Sequence, residues 1–164
     1  MTENAIALGR PDFDVISGWV QPNERVLDLG CGDGSLLKLL IATRGVRGWG
    51  IEIDNAGVLA AIGNGINVIQ SNLEKGLGDF ADDAFDHVVL SRTLQTVRHT
   101  EGILREMLRV GREAVVSFPN FAYWKNLRSV LDGRMPVSDE EGNLVEHEVN
   151  FLGSLAVYRL TLNR

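Results

Sequence analysis

The run Val26-Leu27-Asp28-Leu29-Gly30-Cys31-Gly32-Asp33-Gly34-Ser35 decides how this chain folds. It begins as an apolar strand pattern around one acid and ends in three alternating glycines. A segment of helical period follows at once, with Leu36, Leu37, Leu40 and Ile41 on one face. A buried strand, a tight turn and a helix start are therefore expected. Glycines in such a turn let the backbone take positive φ and let a ligand approach closely. The helix start adds unpaired N–H groups. In a parallel α/β sheet, ligands bind beyond the carboxyl ends of the strands, where this turn sits.

The spacing narrows the ligand. Gly-x-Gly-x-x-Gly serves a dinucleotide pyrophosphate, and a P-loop ends in Gly-Lys-Ser/Thr. Here the spacing is Gly-x-Gly-x-Gly, without lysine. Asp28 and Asp33 flank the turn, and Glu52 and Asp54 close the next predicted strand. Four carboxylates repel a phosphate and suit hydroxyls, an amino group or a net cation. S-adenosylmethionine carries a ribose diol, an α-amino group and a sulfonium, and no phosphate. Leu27–Gly34 also resembles motif I of class I S-adenosylmethionine-dependent methyltransferases, which implies a doubly wound Rossmann-like sheet.

The totals bound the rest. A chain of 164 residues suggests one domain over 1–164 with a real core. Net charge −6 argues against a general binder of nucleic acid or anionic membrane. A single cysteine excludes an intramolecular disulfide framework. No apolar run reaches the roughly 18 residues of a membrane span, and residues 1–10 lack a signal-peptide pattern. A cytoplasmic protein without a metal site is expected.

In chain order, Pro11 suits the first position of a helix whose buried face carries Val15, Ile16, Trp19 and Val20. Strand one is read at 25–29, strand two at 48–53, a short strand three at 66–69, strand four at 85–91 and strand five at 113–118. Glu52 follows Asp28 by 24 residues, the interval at which an acid meets a ribose. Alternation aims Asp54 elsewhere, as a cap for the helix over 55–62. His87 reads as a packing or rim residue. Thr100 is the candidate N-cap of a helix over 101–110, with Glu101 and Arg105 as a solvated i,i+4 pair. Cys31, between the glycines, reads as small-residue packing.

Four segments, 25–34, 48–54, 90–95 and 109–121, resemble the methionine biosynthesis protein MetW family. Ser91-Arg92-Thr93-Leu94-Gln95 departs from the family's Ser-Gln-Thr-Leu-Gln at Arg92. The resemblance covers roughly 12–137, including Gly133–Val137. It implies an S-adenosylmethionine-binding domain that works with a homoserine O-acyltransferase at the start of methionine synthesis. Methyltransferases place an aspartate at the position of Asn72 to accept from the adenine amino group; an amide oxygen still accepts. The Asn/Asp-Pro-Pro-Tyr/Phe signature of nitrogen methylation is absent. The cofactor-facing set is then Asp28, Gly30, Cys31, Gly32, Glu52, Ile53, Asn72, Leu73 and Ser91, and no catalytic residue is assigned. The alternative is a small-molecule methyltransferase. Phe121, Tyr123 and Trp124, followed by Lys125, Arg128 and Arg134, are the candidate partner contact. Residues 138–164 depart from the family pattern. They show one plain strand alternation around Tyr158 and Leu160, so the sheet is expected to be incomplete at its C-terminal side.

Overall fold

A computed structural model describes residues 10–93, 97–119, 146–152 and 155–161. Helix α1 is Pro11–Trp19, and β1, Arg25–Leu29, leads through the glycine turn into α2, Ser35–Arg44. Strand β2 (Arg47–Glu52), helix α3 (Asn55–Gly63) and strand β3 (Asn67–Gln70) follow. After a short 3-10 turn at Leu73–Lys75 come β4 (Phe85–Ser91), α4 (Thr100–Val110) and β5 (Gly111–Pro119). The last two strands are β6, Glu146–Leu152, and β7, Leu155–Thr161.

The strands form one seven-stranded sheet in the order β3-β2-β1-β4-β5-β7-β6. Strands β1 to β5 pair in parallel, and β7 runs antiparallel to both β5 and β6. This is the expected doubly wound sheet with β1 central. The expectation that its C-terminal side is incomplete fails. Both strands fit because they are antiparallel neighbours paired at Leu152 and Leu155. Such strands need only a two-residue connection, whereas a parallel pair needs a crossover of a dozen residues or more.

Strand alternation divides the core in two. Val26 and Val89 face one way, with Phe13, Ile16, Leu37 and Leu40 of α1 and α2. Leu27, Leu29, Val88 and Leu90 face the other way, with Ile103, Leu104, Met107 and Leu108 of α4. Each fully buried side chain of this size contributes about 1.5–3 kcal/mol. Ile41 departs from the stripe expected of α2: it is 39% exposed, and Leu39 takes a buried place instead. The sheet contacts Leu36, Leu37 and Leu40, and Ile41 falls at the edge of that contact.

Several element ends shift by a residue or two. Strand β3 begins at Asn67, one residue late, although Ile66 before it is buried. Thr100 is the first residue of α4 rather than its cap; its hydroxyl turns back to the Val97 carbonyl, and His99 holds the N-cap position. Gly45, in the left-handed region, closes α2. Arg109, near the end of α4, fixes the loop before β4. Its guanidinium donates to both Glu106 oxygens, to Asp82 and to the carbonyls of Leu77 and Phe80. His87 is buried, with Nε2 3.0 Å from Glu24. It lies near the start of β4, away from the carboxyl edge, as a packing residue would. Among the described residues no helix is long and apolar enough to cross a membrane. Residues 120–145, which include Phe121, Tyr123, Trp124 and Gly133–Val137, lie outside the described residues.

Candidate functional site

The turn after β1 is held by β2. The N–H groups of Gly30 and Cys31 both donate to the Ile51 carbonyl, at 2.8 and 3.0 Å. All three turn glycines have positive φ: 70° at Gly30, 54° at Gly32 and 75° at Gly34. At Gly30 space is limiting as well, because a Cβ would stand 2.6 Å from the Thr93 side chain. Close approach of the turn to the chain leaving β4 therefore requires glycine there.

Glu52, at the end of β2, closes the turn from the other side. Its Oε2 accepts from Gly32 N at 2.8 Å, and Oε1 accepts from the N–H groups of Ile53 and Asp54. A carboxylate offers about four acceptor positions, so roughly one is left for a ligand. The other acids divide. Asp54 caps α3 by accepting from Gly57 N, as its position suggests. Asp33 accepts from Ser35 N and Ser35 Oγ at the start of α2, and these bonds hold its carboxyl below the usual range.

A cleft of about 720 Å³ opens beyond the carboxyl ends of the strands. Five residues of the expected cofactor-facing set line it: Gly30, Glu52, Ile53, Asn72 and Leu73. Ile53 is 60% exposed, an apolar side chain standing at the mouth. Asn72 caps the 3-10 turn, its side-chain oxygen accepting from Glu74 N at 2.9 Å. A carbonyl oxygen has a second lone pair, so that bond leaves it able to accept again. Ser71, Glu74, Thr93, Arg98 and His99 also line the cleft. They were not in the expected set, although the ends of β3 and β4 are where such residues are to be sought.

Asp28, Cys31, Gly32 and Ser91 are not among the lining residues. Gly32 meets the site through its bond to Glu52. Cys31 is buried, with its sulfur against the face of Gly50, and burial followed by the charges of Asp28 and Glu52 pushes its thiol up to about 12. That is a packing role. Asp28 alternates with Leu27 and Leu29 and so lies under the α1 side of the sheet, 3% exposed. Burial pushes its carboxyl up to about 7; Arg10 opposes the shift, and Asp12 and Glu52 add to it.

Ser91 belongs to a buried network that the sequence did not reveal. Its hydroxyl donates to Asp12 Oδ2 at 2.7 Å and lies 3.0 Å from Ser117 Oγ. Asp12, in the first turn of α1, is wholly buried. Burial works against its charge, but hydrogen bonds from Arg10 and Ser91 and the charges of Arg10 and Arg92 prevail and hold its carboxyl below the usual range. Nothing in the spacing of α1 separates Asp12 from a solvated helix-start acid.

Comparison with known proteins gives this geometry a context. Residues 10–158 match the family described as methionine biosynthesis protein MetW. The match continues past residue 137, where the resemblance read in the sequence stopped. A bifunctional methionine biosynthesis protein MetXA/MetW of Rhodopirellula baltica is 44% identical over 140 residues, covering 79% of this chain and 22% of that protein. A ubiquinone/menaquinone biosynthesis C-methyltransferase UbiE of Stenotrophomonas maltophilia is 34% identical over 121 residues, covering 65% of this chain and 47% of the relative. The chain thus spans less than half the length of these two relatives. In fold, it is similar to a TehB-like SAM-dependent methyltransferase from Corynebacterium glutamicum, with TM-score 0.69 and 20% identity, covering 96% of this chain and 92% of the other.

Proposed function

This chain belongs to the methionine biosynthesis protein MetW family, and on that premise we propose that it binds S-adenosylmethionine and acts with, or regulates, a homoserine O-acyltransferase. One observation carries the cofactor reading. Glu52 stands at the cleft with its carboxylate tied to the N–H of Gly32, so one acid links the ribose position to the glycine turn. A ribose diol offers two hydroxyls to a group with about one acceptor position open. Ligand binding then loosens one of the bonds that Glu52 makes to backbone N–H groups.

The remaining residues suit the rest of the molecule. Ile53 and Leu73 give apolar surface for the adenine, and the Asn72 amide oxygen can accept from its exocyclic amine. Gly32, with open space where a Cβ would stand, leaves room for the methionine portion. Asp28 supplies a carboxylate to the α-amino group, which in turn offsets the cost of ionising a buried acid. Asp28 and Ser91 take part from beneath the turn. When bound, the sulfonium supplies an electrophilic methyl group.

The partner reading is supported by the relative that unites MetXA and MetW in one chain. The expected contact at 121–134 lies outside the described residues. The second reading, a small-molecule methyltransferase, is favoured by the likeness in fold to such enzymes. Positioning a reactive acceptor beside the methyl group can suffice for that chemistry.

The experiment that separates the two readings is an acyltransferase assay with the homoserine O-acyltransferase of the same cell. Retention in a pull-down, or a change in acyltransferase rate on adding this protein, supports the partner reading. No retention and no change reject it. Transfer of a labelled methyl group to a metabolite without the acyltransferase favours the enzyme instead.

A further inference from the structure

The acids around the glycine turn suit the cationic parts of S-adenosylmethionine but not its carboxylate. Asp28, Asp33 and Glu52 surround the glycine turn, in a chain of net charge −6. A carboxylate placed there needs a fixed cation. Arg10 is that cation by position. Val89 pairs with Asp28, so Ser91, two residues on, reaches the level of Gly30. Arg10 Nη2 donates to Ser91 Oγ at 2.7 Å, which sets the guanidinium beside the turn. Its charge acts on both Asp28 and Asp33.

The guanidinium is also held in place. Nε and Nη2 form a forked pair with the two oxygens of Asp12, at 3.1 and 2.8 Å. Its face lies 4.2 Å from the centre of the Phe13 ring. Of five N–H donors these bonds engage three, and the Nη1 pair makes no hydrogen bond among the described residues. A second guanidinium, that of Arg92, lies 3.8 Å from the same Asp12. Both guanidinia thus contact the one Asp12 carboxylate. Arg92 stands where the family pattern has glutamine, and it holds a φ of 56°, unusual for a residue other than glycine.

Resting on the cofactor reading, we infer that Arg10, braced by Asp12, Ser91 and Phe13, receives the carboxylate of S-adenosylmethionine through its Nη1 edge, with Arg92 as the auxiliary cation. Asp12 and Ser91 are then positioning residues, because they act through Arg10.

Calorimetric titration of the whole protein with S-adenosylmethionine and with its decarboxylated analogue tests this. Decarboxylation removes the negative charge and leaves a dication, which an acidic site without a carboxylate receptor would prefer. The inference predicts the opposite in the native protein: S-adenosylmethionine binds about ten- to a hundredfold more tightly, the worth of one charge-assisted hydrogen-bonded contact. Arg10→Gln reduces that preference to about twofold or reverses it, and Arg92→Gln reduces it less. Because Arg10 also ties α1 to β4, circular dichroism must show the variant folded. Should it not fold, the two native titrations and Arg92→Gln still decide. Equal or tighter binding of the decarboxylated analogue to the native protein overturns the inference and leaves the cofactor reading standing. A full preference kept in folded Arg10→Gln does the same. Failure of the native protein to bind either compound overturns both.

Discussion

Replacing Asp28 by asparagine should stabilise the protein at neutral pH, although the residue lies in the central strand beside the site. Asp28 is 3% exposed, and burial raises its carboxyl from the ordinary 3.8 to about 7. Below 3.8 the acid is neutral in both the folded and unfolded chain, so it costs nothing. Between 3.8 and 7 the unfolded chain ionises first and gains stability relative to the fold. Above 7 the penalty is constant. A shift of about three units corresponds to about 4 kcal/mol. Asparagine has the shape of the neutral acid and no charge, so Asp28→Asn escapes this penalty. Urea denaturation of both proteins at pH 4 and pH 7.5 gives the comparison, since changes in other groups cancel between them. The variant should be more stable by a few kcal/mol at pH 7.5 and nearly equal to the native protein at pH 4. A variant less stable than the native protein at pH 7.5 would refute the claim that the buried charge is unfavourable without a ligand. Loss of S-adenosylmethionine affinity should accompany the gain in stability.

The thiol of Cys31, pushed up to about 12, should react with iodoacetamide at pH 8 about a thousandfold more slowly in the folded protein than in urea. With one cysteine in the chain, the mass of the alkylated product reads this directly, and comparable rates would contradict the packing role. Gly30→Ala meets both a positive φ and the Thr93 side chain at 2.6 Å. It should cost about 1–3 kcal/mol in denaturation and weaken ligand binding, and an unchanged midpoint would count against the close approach. Arg109→Met leaves the Phe80 carbonyl without its donor and takes one donor each from the Leu77 carbonyl, which keeps Phe80 N, and the Glu106 carboxylate, which keeps Leu77 N. A loss of about 1–3 kcal/mol is expected, seen as a melting temperature several degrees lower; no change would mean that the loop before β4 is held by other contacts.

The sheet was legible because its central strands are local signals. Leu27 and Leu29 alternate with Asp28, the glycines mark the turn, and the strand–helix interval reaches Glu52 in the expected place. The two C-terminal strands were misjudged for a physical reason. Only the segment around Tyr158 and Leu160 shows a plain alternation, and an antiparallel pair such as β6 and β7 needs far less connecting chain than a parallel pair. At the site, Glu52, Asn72 and the turn followed from position relative to strand ends. The Arg10–Asp12–Ser91–Ser117 network did not, because its members are 79 to 105 residues apart from Asp12 to Ser91 and Ser117. Only the packing of α1 over β4 and β5 brings them together. Burial of Asp28 was implied by its strand, but the sharing of its field among Arg10, Asp12 and Glu52 depends on that same packing.

Isothermal titration of the purified protein with S-adenosylmethionine, repeated on Glu52→Ala, tests the cofactor reading most directly. The native protein should bind one molecule per chain. The variant, folded by circular dichroism, should bind about ten- to a hundredfold more weakly, as expected for loss of a charge-assisted hydrogen bond worth about 1.5–3 kcal/mol. Absence of binding to the folded native protein, or equal affinity in the variant, would contradict it.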